Sequence, residues 1–261
     1  MKKLAVITGA SSGLGWEFAW LLAKDQYDLV VTARNRLALV KLKEELEHKY
    51  AIEVFIVEQD LAVKDGAKKI YDAVCLLSRP IDVLINNAGF GDYGYYHTLD
   101  WENQEAMIQV NILALMQLTR YVLADMVSNK RGYLMNVAST AAFQSGPLIA
   151  TYYASKAYIL SFTEAIATEV RDMGVVVSAF CPGPTRTRFV ENANLETSRL
   201  KVLFTADAGQ VAAYGYRMLK NGKVIAIPGW TNRLFMVISK FMPRRITRSV
   251  MYNLHRKKFV S

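Results

Sequence analysis

The stretch Ile7-Thr8-Gly9-Ala10-Ser11-Ser12-Gly13-Leu14-Gly15 constrains the fold more than any other part of the chain. It follows directly on the apolar run Leu4-Ala5-Val6-Ile7, so a short buried strand has to end in a turn built on three glycines. Helical spacing resumes behind it. A strand, a glycine turn and a helix start together make a receptor for a phosphate group. Glycine lets the backbone turn with positive φ and lets a ligand approach with no Cβ in the way. The helix start aims free N–H groups and the positive end of its dipole at the anion. The spacing Gly9-x3-Gly13-x-Gly15 is a variant of the dinucleotide fingerprint. Taken alone it also fits a purely structural turn.

The rest of the chain repeats the opening pattern. Strand-like runs fall at Leu4–Thr8, Leu29–Ala33, Val54–Val57, Val83–Ile85, Tyr133–Val137, Val175–Phe180 and Val224–Ile227. They are apolar throughout rather than alternating, which suits parallel strands buried on both faces. Helical spacing predicts helices over Gly15–Lys24, Arg36–Lys49, Lys64–Leu77, Trp101–Ser128, Tyr152–Met173 and Asp207–Leu219, with Asp100 as an N-cap. This alternation argues for an α/β fold, a doubly wound parallel sheet of about seven strands with helices on both faces. With 261 residues, 52% of them hydrophobic, the chain can bury a substantial core. No linker, repeat or low-complexity tract divides it. A first unit over 1–227 and a C-terminal extension over 228–261, packed on the same domain, are expected.

Cys75 and Cys181 stand far apart in apolar runs, and they offer neither metal spacing nor a disulfide framework. Both are expected to be buried free thiols in a reducing, cytoplasmic setting. No metal site is expected, since His48, His97 and His255 form no cluster in sequence. The apolar stretch after Met1-Lys2-Lys3 is too short for a signal peptide. No window holds about 20 uninterrupted apolar residues, so no spanning helix is expected.

The second strand ends in Val30-Val31-Thr32-Ala33-Arg34-Asn35-Arg36, and no Asp or Glu occurs between Leu29 and Lys43. In dinucleotide folds an acidic side chain here holds the ribose hydroxyl of NAD, whereas an arginine accommodates the 2′-phosphate of NADP. Arg34 therefore favours NADP(H) over NAD(H), unless it is only a solvated charge.

Further along, Ser139 closes a strand, and Tyr152 and Lys156 follow at i and i+4 on a helix. That spacing places an ammonium beside a phenol. A tyrosine near pKa 10 is a poor base, and an adjacent cation favours its ionised form. Tyr152 would then exchange a proton with a carbonyl or carbinol oxygen, which Ser139 would hold in place. Tyr153 has poorer spacing from the lysine. Tyr-x3-Lys alone is a common surface pattern, so its weight comes from context.

That context is Thr8–Gly15, Asp60-Leu61, Asn86-Asn87-Ala88-Gly89, Asn111, Ser139, Tyr152–Lys156 and Pro182-Gly183-Pro184-Thr185-Arg186-Thr187, in this order. With these motifs the sequence resembles the short-chain dehydrogenase/reductase family, in its single-domain branch, over roughly Lys3 to Ile227. The resemblance implies a Rossmann-type sheet and a homodimer or homotetramer. It implies that Gly9, Ser11, Ser12, Gly13, Leu14 and Gly15 surround the pyrophosphate and its ribose. Asp60 and Leu61 would lie by the adenine, and Asn87, Ala88 and Gly89 would flank the adenosine side. Asn111 would hold a water that relays protons from Lys156, completing a catalytic set of Asn111, Ser139, Tyr152 and Lys156. Tyr152 and Lys156 would also touch the cofactor, Lys156 through the nicotinamide ribose. Pro182, Gly183, Thr185 and Thr187 would hold the nicotinamide end. Tyr153 departs from the small residue often found there.

The resemblance also places a substrate lid near 188–204, with further walls from Gly91–Tyr96 and Thr140–Leu148. Tyr93, Tyr95, Tyr96, Phe143, Leu148 and Phe189 make this set aromatic and apolar, which favours a hydrophobic ketone or secondary alcohol. Several of these rings would serve equally well as core. The expected activity is that of an NADP-dependent carbonyl reductase, with a hydroxysteroid dehydrogenase as the narrower alternative.

The net charge of +9 belongs to the C-terminal part. From Ala208 to Ser261 there are eleven Lys or Arg and no Asp or Glu, while residues 1–207 carry 21 basic and 23 acidic groups. Trp230, Leu234, Phe235, Val237, Ile238 and Phe241 would line one helix face, with Arg233, Lys240, Arg244, Arg245 and Arg248 mostly elsewhere, and Pro243 would break the segment into two helices. In this tail the sequence resembles the DltE-type oxidoreductases, a subgroup of the family. The segment fits a peripheral membrane contact, or a cover for the substrate pocket or a subunit contact. A membrane-surface scaffold with secondary catalysis is the alternative from another functional class. No nucleic-acid recognition module is visible.

Overall fold

The computed structural model describes residues 2–185 and 206–256. Seven strands form one sheet: β1 Leu4–Thr8, β2 Asp28–Ala33, β3 Val54–Glu58, β4 Ile81–Asn86, β5 Gly132–Val137, β6 Val175–Phe180 and β7 Ile225–Ala226. Their order is β3-β2-β1-β4-β5-β6-β7, and every neighbouring pair is parallel. The order reverses between β1 and β4, which leaves a crevice at the carboxyl ends of these two strands. Ligands of open α/β sheets bind at this place.

Both faces are covered because the strands are apolar on both. Ala5, Ile7, Leu29, Val31, Val83 and Ile85 pack on one side with Phe18 and Leu22 of helix α1 (Gly13–Lys24) and Leu39, Leu42 and Leu46 of α2 (Arg36–Lys49). Leu4, Val6, Val30, Leu84 and Leu134 point the other way. They meet Ile70 and Val74 of α3 (Gly66–Cys75), Leu118 and Val122 of α5 (Leu115–Ser128) and Ile166 of α6 (Ala150–Glu169). α7 (Ala208–Lys220) returns to the first face through Val211 and Leu219.

Two expectations are revised. Cys75 is exposed, because the buried side of α3 runs through Ala67, Ile70 and Val74 and the next residue turns about 100° away. Cys181 is buried, as expected. The segment Trp101–Ser128 is also not one uniform helix. α4 (Trp101–Ile108) passes into a π-helical stretch, Gln109–Ala114, before α5 begins. By length and apolarity this run resembles a membrane span, yet Leu115, Leu118, Val122 and Met126 are buried in the core. Asp100 caps α4 by accepting from the N–H of Glu102 at 3.0 Å. Beyond β7, α8 (Trp230–Phe241) and α9 (Arg244–Arg256) are separated at Pro243.

Candidate active site

The glycine turn is shaped by close contacts. Gly9 and Gly13 take positive φ, 66° and 57°. A Cβ on Gly15 would lie 2.3 Å from the carbonyl oxygen of Gly9, so the helix starts against its own turn. Ser12 is the extended N-cap and makes no side-chain cap bond, and no acidic residue occupies the first turn of α1. The N–H groups there face no carboxylate of their own turn. This suits a pyrophosphate.

Asn87 couples this turn to β4. Its Nδ2 donates to the carbonyls of Thr8 (3.0 Å) and Gly9 (3.2 Å), while the Thr8 hydroxyl accepts from the N–H groups of Asn87 and Ala88 at 2.9 Å each. Below it lies a buried polar chain. Asn86 Nδ2 donates to Thr119 Oγ1 and Asn136 Oδ1, both at 2.9 Å, and Asn136 Nδ2 donates to Thr163 Oγ1 at 3.0 Å. These bonds tie the ends of β4 and β5 to α5 and α6 and fix the floor of the crevice.

At the far edge of β2, Arg34 is exposed. Asn35 caps α2 by accepting from Ala38 N–H at 3.0 Å. Sequence reading missed Glu58, which the parallel register sets opposite Ala33 at the end of β3. Its carboxylate pairs with Arg36 at 3.6 Å. Asp60 Oδ1 accepts from Ala62 N–H at 2.8 Å, and Leu61 beside it is buried.

The catalytic candidates gather where β5 and β6 end. Ser139 follows β5; its hydroxyl accepts from Ala141 N–H at 3.1 Å and donates to the Pro182 carbonyl at 3.4 Å. It also hydrogen-bonds the Tyr152 phenol. Lys156 is buried at 4% exposure, with Nζ 5.6 Å from the centre of the Tyr152 ring and donating to the Val137 carbonyl at 2.8 Å. Burial sets the titration of both. It pushes the Tyr152 phenol up to about 12, against a lowering by Ser139, and it lowers the Lys156 ammonium to about 8. The expectation of a lowered tyrosine is therefore corrected: burial disfavours the phenolate and raises Tyr152, so the phenol holds its proton at neutral pH.

Asn111 sits in the π-helical stretch, fully buried. It is held at both ends of its amide, accepting from Phe90 N–H at 3.1 Å and donating to the Phe90 carbonyl and Ser155 Oγ at 3.0 Å each. A Cβ on Gly89 would lie 2.9 Å from Asn111 Oδ1 and 3.4 Å from Lys156 Nζ, so this glycine keeps the space between them open. Cys181 lies behind Lys156, and burial raises its thiol to about 12. Pro182 accepts from Thr140 N–H at 2.9 Å, Gly183 lies against Asn232 of α8, and the Thr185 hydroxyl donates to the Gly183 carbonyl at 2.9 Å. Thr187, Phe189 and the expected lid at 188–204 lie outside the described residues.

The wall opposite joins Leu148 and Tyr93, expected there, to Tyr153 and residues of α9 that sequence reading did not assign to it. Leu148 is buried with a left-handed φ of 69°, and its carbonyl accepts from Gly94 N–H at 2.8 Å. The Tyr153 ring lies on Gly146, where a Cβ would come within 2.2 Å. α9 completes the wall. His255 Nδ1 donates to the Pro147 carbonyl at 2.8 Å, leaving Nε2 to face the Tyr153 hydroxyl at 3.5 Å. The Tyr93 hydroxyl donates to the His255 carbonyl, and Gln144 Nε2 lies 3.3 Å from Met251 Sδ. Burial lowers the imidazole's pKa, against a raising by its bond to the Pro147 carbonyl. Tyr95 and Tyr96, expected in the wall, are exposed.

A parallel sheet with a glycine turn at its switch point, and a Ser–Tyr–Lys group at the next strand ends, defines the dinucleotide-binding α/β class. Comparison with known proteins places the chain within it. The short chain dehydrogenase family model matches residues 3–198, and the chain belongs to that family. It is 32% identical over 175 residues to a very-long-chain 3-oxoacyl-CoA reductase of Coprinopsis cinerea, covering 66% of this chain and 52% of that protein. It is 32% identical over 212 residues to 17-beta-hydroxysteroid dehydrogenase type 3 of Rattus norvegicus, covering 79% of this chain and 66% of that protein. The chain thus spans about half to two thirds of the length of these relatives. Among solved structures, a 7beta-hydroxysteroid dehydrogenase superposes with a TM-score of 0.87 at 24% identity, covering 95% of this chain and 96% of that one. A short-chain dehydrogenase from Sphingobium yanoikuyae in complex with NADPH gives 0.82 at 24% identity, covering 93% and 97%. These two likenesses show the fold.

Proposed function

We propose that the protein is an NADP(H)-dependent oxidoreductase that interconverts a hydrophobic ketone and its secondary alcohol, with Tyr152 as the acid or base. The observation that carries this reading is the buried group formed by Ser139, Tyr152 and Lys156. When bound, the nicotinamide supplies or accepts the hydride at the carbonyl carbon. The chain's own part is the proton and the positioning. In reduction, Tyr152 gives its phenolic proton to the carbonyl oxygen, which Ser139 holds by a hydrogen bond. The Lys156 cation stabilises the phenolate that remains. Asn111 keeps Phe90, Ser155 and the space beside Lys156 in register.

Preference for NADP(H) is supported by Arg34 at the end of β2 and by the pairing of the Glu58 carboxylate with Arg36. A bulky apolar substrate is supported by Leu148, the Tyr153 ring and the Met251 side of α9. The names of the relatives, which act on steroids and very-long-chain acyl groups, favour the same class. The test follows nicotinamide absorbance with NADPH and NADH across steroid, long-chain and aromatic ketones. Turnover with NADPH and a bulky ketone is expected. Turnover confined to NADH, or none with any bulky ketone, would refute the reading.

A further inference from the structure

We propose that the outer face of α8 and α9 docks the protein on the surface of an anionic lipid bilayer. The inward side of α8 is narrow. Met236 is buried, and Asn232 and Ser239 flank it one turn to either side. The apolar residues point the other way. Trp230 and Phe241 are 74% and 85% exposed, and Leu234, Phe235, Val237 and Ile238 are exposed with them. Among the described residues they therefore cover neither the cleft nor the core. At ~150–250 Å² per aromatic side chain, Trp230 and Phe241 alone leave roughly 300 Å² of ring surface in water. The four further residues carry the patch past what an ordinary monomer exposes. On α9, Ile246 and Val250 stand one turn apart and are likewise exposed.

Charge selects the occupant. Arg244, Arg245 and Arg248 follow the apolar stripe at the start of α9 and are exposed, and among the described residues none forms an ion pair. No acidic residue occurs anywhere from Ala208 to Ser261. A second copy seated twofold on this face would bring two such cationic segments together with no carboxylate of the segment to pair them. A bilayer of anionic lipid offers acyl chains to Trp230, Leu234 and Phe241 and headgroup charge to the arginines at the same depth. The inner side of α9 walls the cleft through Met251 and His255, so docking sets the cleft close to the membrane.

The test is flotation of the full chain with phosphatidylcholine vesicles, with and without phosphatidylglycerol. Flotation only with the anionic vesicles is expected. Trp230→Ser with Phe241→Ser should abolish it. Arg244→Gln with Arg245→Gln and Arg248→Gln should weaken it roughly 100-fold, at about 1 kcal/mol per cation. Both sets alter exposed side chains, so each should keep the native melting temperature and its activity on a soluble ketone. Native protein that fails to float with anionic vesicles overturns the assignment, as do variants that float like the native chain. Self-association of the native chain that is lost in Trp230→Ser/Phe241→Ser would make the face a subunit contact and overturn it equally.

Discussion

Replacing Lys156 by Met should remove activity and at the same time change how stability depends on pH. Met has nearly the same length and no charge, so it fills the buried site without the cost of desolvating an ammonium. Burial lowers the ammonium from the ordinary 10.5 to about 8. At about 1.4 kcal/mol per pH unit, that is about 3 kcal/mol against the charged form. Between about 8 and 10.5 the unfolded chain holds a proton that the native state has released. The native chain's stability therefore rises with pH across this window, and that contribution is lost again as pH falls toward 8. The Met variant lacks the titration. It also lacks the bond to the Val137 carbonyl, whose loss offsets roughly 1.5–3 kcal/mol of the gain. Near pH 7 the variant should match or slightly exceed the native chain in stability. By pH 10.5 it should have lost about 3 kcal/mol relative to it, or roughly 6–12 °C in Tm for a chain of this size. The assay is thermal unfolding of both proteins, free of cofactor, at intervals from pH 7 upward, reading only the difference between them. Parallel curves would refute the claim that Lys156 is a buried, desolvated cation.

Arg34→Asp should weaken NADPH binding on the order of 10–100-fold, the worth of one charge-assisted phosphate contact, and raise the NADH to NADPH ratio of kcat/KM; fluorescence titration that finds NADPH affinity unchanged would show that Arg34 does not reach the phosphate. Gly15→Ala places a methyl 2.3 Å from the Gly9 carbonyl, which cannot give way, so about 1–3 kcal/mol of stability and most cofactor affinity should be lost. A variant with native Tm and native binding would mean that the turn is looser than described. Asn111→Ala frees Phe90 and Ser155, and should lower kcat more than it raises KM; a change confined to KM would place its role in substrate binding.

The strands and most helices were legible because a parallel sheet covered on both faces writes each strand as an unbroken apolar run. Leu4–Thr8 and Val175–Phe180 end where the sequence places them. β7 shrinks to Ile225–Ala226, the two residues that pair with Ala179 and Phe180. The π-helical stretch around Asn111 was not legible, since one widened turn leaves no mark on apolar spacing. The glycine turn and the Ser139, Tyr152 and Lys156 set were legible as spaced motifs. Glu58 was not, because its place beside the β2 edge comes from strand register. The contacts of His255 and Met251 with Pro147 and Gln144 join residues more than 100 positions apart, so no local pattern announces them. The tail's two helices and their apolar stripe were legible, and the structure adds that the stripe faces outward.

The central claim is that the Tyr152 phenol delivers the proton. Its most direct test compares the native chain with Tyr152→Phe, measuring NADPH-dependent reduction of a bulky ketone alongside NADPH affinity. Tyr152→Phe should lower kcat by at least ~10²–10⁴-fold and leave NADPH binding nearly native. Turnover in the Phe variant within a few-fold of the native chain would contradict the account.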